Sequence, residues 1–101
     1  MPSLVRLVTE DGEIVKELGC PPRTFALLRP AIEGTSICWP FIDDYGDTYF
    51  NHLQMKPFVE ELDRIASSIN EPGVSEFLRQ LRLLAEECQS TVHTFIMFYG
   101  D

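Results

Sequence analysis

The chain has 101 residues and a mass of 11.6 kDa, enough for one compact domain and too few for two. A hydrophobic content of 45%, with seven Phe, three Tyr and one Trp, excludes wholesale disorder, collagen and low-complexity classes. Eight Lys and Arg against sixteen Asp and Glu leave a net charge of −8, which makes nucleic acid and anionic membranes poor partners; so small a chain has no room for the deep cleft of an elaborate enzyme.

Residues 3–18 open with Leu4-Val5-Arg6-Leu7-Val8, break at Asp11-Gly12 and resume with Ile14-Val15-Lys16, which predicts a hairpin whose turn uses Gly for positive φ. A two-residue loop pairs Arg6 with Glu17 but also sets Glu10 against Glu13, so a longer loop with slipped register is the competing arrangement. Residues 19–35 carry Gly19, Pro21, Pro22, Pro30 and Gly34, and hold at most a turn or two of helix around Thr24 to Arg29, with Thr24 as N-cap and Pro30 as terminator. Ser36 to Ile42 has strand composition, placed by Pro40 at a sheet edge or a bulge. Asp43-Asp44-Tyr45-Gly46-Asp47-Thr48 follows as a turn, and 49–54 as a separate turn.

Phe58, Val59, Leu62, Ile65, Ala66 and Ile69 make one stripe of a helix starting near Met55 or Lys56, with Pro57 in its first turn and Asn70 to Gly73 as its stop. Val74, Phe77, Leu78, Leu81, Leu84, Ala85 and Cys88 mark a second helix, antiparallel to the first. Thr91 to Tyr99 is apolar on both faces, so this strand belongs in the middle of a sheet. Each half carries four basic and eight acidic residues and there are no repeats, so residues 1–101 form a single domain. The expected class is α+β: a mainly antiparallel sheet of about four strands with two antiparallel helices packed on one face. The other face, with Phe95, Met97 and Tyr99, then requires a cover: Phe25, Leu27, Leu28 and Ile32, or a second copy of the chain in a homodimer.

No export signal precedes the first strand, and no apolar run approaches the ~20 residues of a membrane span. Cys20, Cys38 and Cys88 lack any C-x-x-C pairing and read as free thiols of a cytoplasmic protein. With His52 and His93 they also lack the spacing of a zinc site, so no metal and no cofactor is expected. His93, between Val92 and Thr94, reads as a hydrogen-bonded residue of the central strand. A Cys88 or Cys38 pair with His93 has no support from spacing, and Gly-rich phosphate loops, G-x-S-x-G and H-E-x-x-H are absent.

Between Arg29 and Lys56 there is no basic residue, while Asp43, Asp44 and Asp47 stand beside Trp39, Tyr45 and Tyr49. Aromatics supply buried contact area and acids pair with Lys or Arg, so these six residues are the candidate contact with a basic protein partner. The structural reading of the same stretch has Asp47 or Thr48 capping the next turn, Gly46 left-handed and Trp39 in the core. A second functional reading is a small enzyme or metal-dependent protein using Asp43, Asp44 and Asp47 with His52 or His93.

Tyr45-Gly46-Asp47-Thr48-x-Phe50-Asn51-x-Leu53-Gln54, a helix pair, and the ending His93-Thr94-Phe95-Ile96-x-Phe98-x-Gly100-Asp101 resemble a class of small uncharacterised bacterial proteins of the immunity or antitoxin type. The resemblance covers about the C-terminal 60 residues and implies a cytoplasmic, non-catalytic protein with no agreed ligand; it supplies no catalytic residues. Within the motif, Asn51 and Gln54 are expected to hydrogen-bond the backbone of the aspartate loop.

Overall fold

A computed structural model describes residues 1–100. Among them four strands, β1 (Leu4–Thr9), β2 (Ile14–Gly19), β3 (Thr48–Asn51) and β4 (Thr94–Tyr99), form one antiparallel sheet in the order β2-β1-β4-β3. Three helices accompany it: α1 (Thr24–Ile32), α2 (Met55–Ala66) and α3 (Pro72–Ser90). The fold is therefore α+β, with the doubly apolar β4 between β1 and β3.

The hairpin satisfies both halves of its expectation. Arg6 faces Glu17, their side chains 2.7 Å apart, and Gly12 takes φ 88°. The register then slips between Leu7 and Val8, and Thr9 donates to the Glu13 carbonyl, so Glu10 and Glu13 are not opposed.

Val5, Leu7, Phe50, Ile96 and Phe98 point to one side and share a core with all three helices. α2 and α3 pack against each other as an antiparallel pair, Asp63 near the C-terminal end of α2 meeting Arg82 at 2.8 Å, and Ala66 and Ser75 lining the same groove between them. Glu71 caps α3 by accepting from the Gly73 and Val74 amides, and Pro72 sits at its first position, where a missing N–H costs nothing.

α2 ends at Ala66, short of the expected Ile69, α3 takes in Pro72 and Gly73 from the expected stop, and two further segments differ more from expectation. α1 does not stop before Pro30 but continues to Ile32, and its N-cap is Arg23, at φ 69°, rather than Thr24, whose hydroxyl donates to the Pro21 carbonyl. Pro30 removes one amide donor near the C-terminal end, while the Arg29 carbonyl still accepts from Glu33 and Ile32 is buried in the core, so the helix persists. Residues 36–42 are not a strand: they form an irregular segment ending in a 3-10 turn, Trp39–Phe41, and the third strand falls instead on Thr48–Asn51. The amides of residues 36–39 are committed to a side chain of α2, and those of Phe41 and Ile42 to the turn itself.

α1 does not cover the second sheet face either. Phe25, Leu28 and Ile32 enter the helix-side core, Phe25 meeting Phe98 edge-on at 6.1 Å, and Leu27 faces solvent. No helix among the described residues is long and apolar enough to cross a membrane.

Candidate functional site

The stretch between α1 and α2 is built from two loops. The first, residues 36–39, closes on Glu61 of α2. This side chain, 7% exposed, accepts four backbone hydrogen bonds: from Ser36 and Ile37 through Oε2 at 2.9 and 2.8 Å, and from Cys38 and Trp39 through Oε1 at 2.8 and 3.0 Å. Burial raises the Glu61 pKa, but the four N–H donors outweigh it and hold the carboxyl below its ordinary value. Four donors turned to one carboxylate cannot serve a β-ladder, which is why strand composition did not make a strand here.

Trp39, anchored by this loop, is 0% exposed. Its ring stacks on Phe58 at 5.2 Å, and its indole N–H donates to the Phe58 carbonyl at 3.2 Å. It offers no surface to a partner, which corrects its place among the candidate contact residues; packing with Phe25, Phe58 and Phe98 accounts for it.

The second loop, residues 43–47, is held by its own polar groups. The Asp43 amide donates to Thr48 Oγ1, and Asp43 Oδ1 accepts from the Tyr45 amide, each at 2.9 Å. Both oxygens of Asp44 accept from Arg29 Nη2, at 2.9 and 3.1 Å, tying the loop to α1. Gly100 lies so close beneath that a Cβ there would overlap the Gly46 backbone. Gly46 itself does not adopt positive φ, and Thr48 braces this loop rather than capping the next turn.

Asn51 and Gln54 do not reach the aspartate loop. They satisfy one another, the Asn51 amide donating to Gln54 Oε1 at 2.8 Å and the Gln54 amide to Asn51 Oδ1 at 3.0 Å, a capping box for the turn that leads into α2.

Tyr45 emerges 81% exposed, while Asp43 and Asp47 are also at the surface and Asp47 has no salt bridge among the described residues. Asp44 is half-buried in its pair with Arg29. Tyr49 projects from β3 onto the outward sheet face beside Met97 and Phe95, away from the helix-side core. Sequence reasoning missed three further apolar residues of this stretch: Leu53 at 76%, Phe41 at 68% and Ile37 at 61% exposure. Composition alone could not separate them from Trp39 and Phe50, because apolar residues in an irregular segment carry no period to assign a side.

The histidines stand apart from the aspartates. His52 lies in the turn before α2. His93 precedes β4 rather than lying within it; its φ is 66°, it is exposed, and Nδ1 sits 3.0 Å from Glu10 Oε2. Among the described residues neither histidine hydrogen-bonds Asp43, Asp44 or Asp47, and no three His, Cys, Asp or Glu residues converge as a metal site would require.

Two of the three thiols face carbonyls, Cys38 toward Gln54 at 3.8 Å and Cys88 toward Thr94 at 3.6 Å. Burial, reinforced by the neighbouring Glu61 charge, pushes the Cys38 thiol up to about 11, so it is protonated at neutral pH and a poor nucleophile.

No family model matches the chain, and searches of curated proteins and of solved structures find no match.

Proposed function

We propose that the chain is a non-catalytic protein-binding module of the immunity or antitoxin type, acting in the cytoplasm, that sets Tyr45 with Asp43 and Asp47 against a basic protein surface. The observation that carries this reading is Tyr45: 81% exposed, yet on a loop held by the Arg29–Asp44 pair, the Asp43–Thr48 bond and the Gly100 contact. An aromatic carried on a backbone fixed before binding forfeits only its side-chain freedom on contact, so more of its area counts toward affinity. The surrounding acids suit a cationic partner and none of the eight basic residues lies between Arg29 and Lys56.

The test is kinetic, on the partner recovered with the protein from its source cell. Tyr45→Ala is expected to weaken binding by about 2 kcal/mol, mostly as faster dissociation, at low and high salt alike. Asp43→Asn with Asp47→Asn is expected to slow association at low salt and do little at high salt, since exposed charges act over about 8 Å at physiological ionic strength. Asn at 43 keeps the side-chain acceptor that bonds the Tyr45 amide, so loop geometry survives. A partner that binds the variant combining Asp43→Asn, Tyr45→Ala and Asp47→Asn with unchanged affinity and rate removes this loop from the interface.

A further inference from the structure

Four consecutive amides, those of Ser36, Ile37, Cys38 and Trp39, converge on the two oxygens of Glu61, two donors to each oxygen. A carboxylate offers about four lone-pair sites, so this set saturates it. Successive main-chain N–H groups turned to one side form a nest, a concavity suited to an anion, and here the anion is the chain's own. All four donors belong to one segment, which Glu61 reaches from α2.

The nest is shaped by contacts that do not involve Glu61. Before it, the Thr35 amide and hydroxyl both donate to the Ile32 carbonyl, at 2.9 and 2.6 Å. After it, the Phe41 and Ile42 amides close the 3-10 turn onto the Cys38 and Trp39 carbonyls, while Trp39 is fixed by its indole bond to Phe58 and its stack on the same ring. A segment held at both ends keeps its amides turned inward when the carboxylate is taken away, and those of the buried Cys38 and Trp39 then lack an acceptor. A cavity of about 330 Å³ leads to the nest from the side of Ser36 and Ile37, which are exposed; Pro57, Glu60, Glu61 and Arg64 complete its walls. Arg64 is exposed and forms no salt bridge among the described residues. Without the Glu61 charge the walls carry one cation and one carboxylate, and an anion is no longer repelled.

We infer that residues 36–39 are a binding site for short monocarboxylates, that Glu61 is its tethered occupant, and that a free carboxylate of matching size takes the site once the tether is cut. Size is set by the atoms removed. Glu61→Ala deletes Cγ and the carboxyl group, the heavy atoms of acetate; Glu61→Gly deletes Cβ as well, leaving room for propionate. Charge-assisted hydrogen bonds to so small a ligand give a dissociation constant on the order of 10 mM. The site is independent of the aspartate loop, so its failure and that of the proposed interface are read separately.

Urea unfolding of the full chain at neutral pH tests this, with sodium acetate, sodium propionate or the neutral analogue acetamide added and ionic strength held constant with sodium chloride. At about 100 mM acetate the folding equilibrium constant of Glu61→Ala is expected to rise about tenfold relative to chloride, with amide chemical-shift changes centred on residues 36–39. Glu61→Gly is expected to gain more from propionate than from acetate. Wild type and Glu61→Gln, whose own side chains fill the nest, are expected to respond to acetate no more than to chloride, and acetamide is expected to rescue neither truncated variant. Any of four results would overturn the inference: a gain in Glu61→Ala no larger than in wild type, acetamide as effective as acetate, no preference of Glu61→Gly for propionate, or a Glu61→Ala chain that stays unfolded at every acetate concentration.

Discussion

Residues 36–39 and 43–47 are neighbouring loops, both irregular and both organised by carboxylates, yet they are built in opposite ways. The first takes its carboxylate from α2, 22 to 25 residues away, and buries it; the second uses its own aspartates at or near the surface. In the first case four amides would lose their only described partner with the loss of one side chain. In the second, each bond is partly solvated and replaceable by water. A loop of the first kind contributes to stability and presents little for recognition, its tryptophan being in the core. A loop of the second kind contributes little to stability and can hold out an aromatic.

Glu61→Ala should have the largest effect. Stranding four amides that are buried or half-buried is expected to cost about 4 kcal/mol, and Glu61→Gln, which keeps one acceptor oxygen, about 2 kcal/mol, both read by urea unfolding. A loss under about 1 kcal/mol in the alanine variant would break the contrast between the loops. The same substitutions should speed alkylation of Cys38, because they remove a neighbouring negative charge and loosen its cover.

The pH dependence follows from the same group. Glu61 has a folded pKa below its ordinary value of 4.5, so its stabilisation is fully present above that value and is lost as pH falls through the folded one. Asp63, lowered by its bond to Arg82, adds to the same acid limb. Stability of the wild type should therefore fall more steeply than that of Glu61→Gln as pH drops below about 4.5, and the two curves should converge in acid. Parallel curves would show that the carboxylate charge is not what holds residues 36–39.

Gly100→Ala ranks next. The added methyl meets the Gly46 backbone, so either β4's end or the 43–47 loop must shift, at an expected cost of about 1–3 kcal/mol in thermal unfolding. Chemical shifts confined to residues 43–47 and the end of β4 would show that the strain is local. Arg29→Met releases Asp44 from a partly exposed pair and should cost only about 0.5–1 kcal/mol while raising protease cleavage within 43–47.

Tyr45→Ala sits at the bottom of the scale. With its side chain in solvent, it should change stability by less than about 0.5 kcal/mol even as it removes the proposed contact. A substantial drop in melting temperature would place Tyr45 among the structural residues and draw the two loops together.

Elements with a period were legible in the residues alone. The stripe from Phe58 to Ile69 and that from Val74 to Cys88 located α2 and α3 within a few residues, α2 ending at Ala66, because one apolar face every 3.6 residues has no alternative fold to satisfy. The doubly apolar run Phe95 to Tyr99 placed β4 inside the sheet for the same reason, whereas Arg6 meets Glu17 because the register shift between Leu7 and Val8 restores, after a longer turn, the pairing that a two-residue loop implies. One overlooked signal lay within reach: Glu61 interrupts the α2 stripe, three residues after Phe58 and four before Ile65, where a carboxylate must find buried donors.

What tertiary structure alone decided is everything that depends on a distant partner. Which segment supplies those donors, whether Trp39 or Tyr45 is buried, and that Asp44 turns to Arg29 while Asp47 faces solvent are consequences of chain segments meeting across 15 to 25 residues. Aspartate and tryptophan have the same local propensities in either setting, so no window of neighbouring residues distinguishes a core anchor from a contact. The direction of a side chain in an irregular loop is fixed by where its backbone amides find acceptors, and for residues 36–39 that acceptor is a single carboxylate on α2.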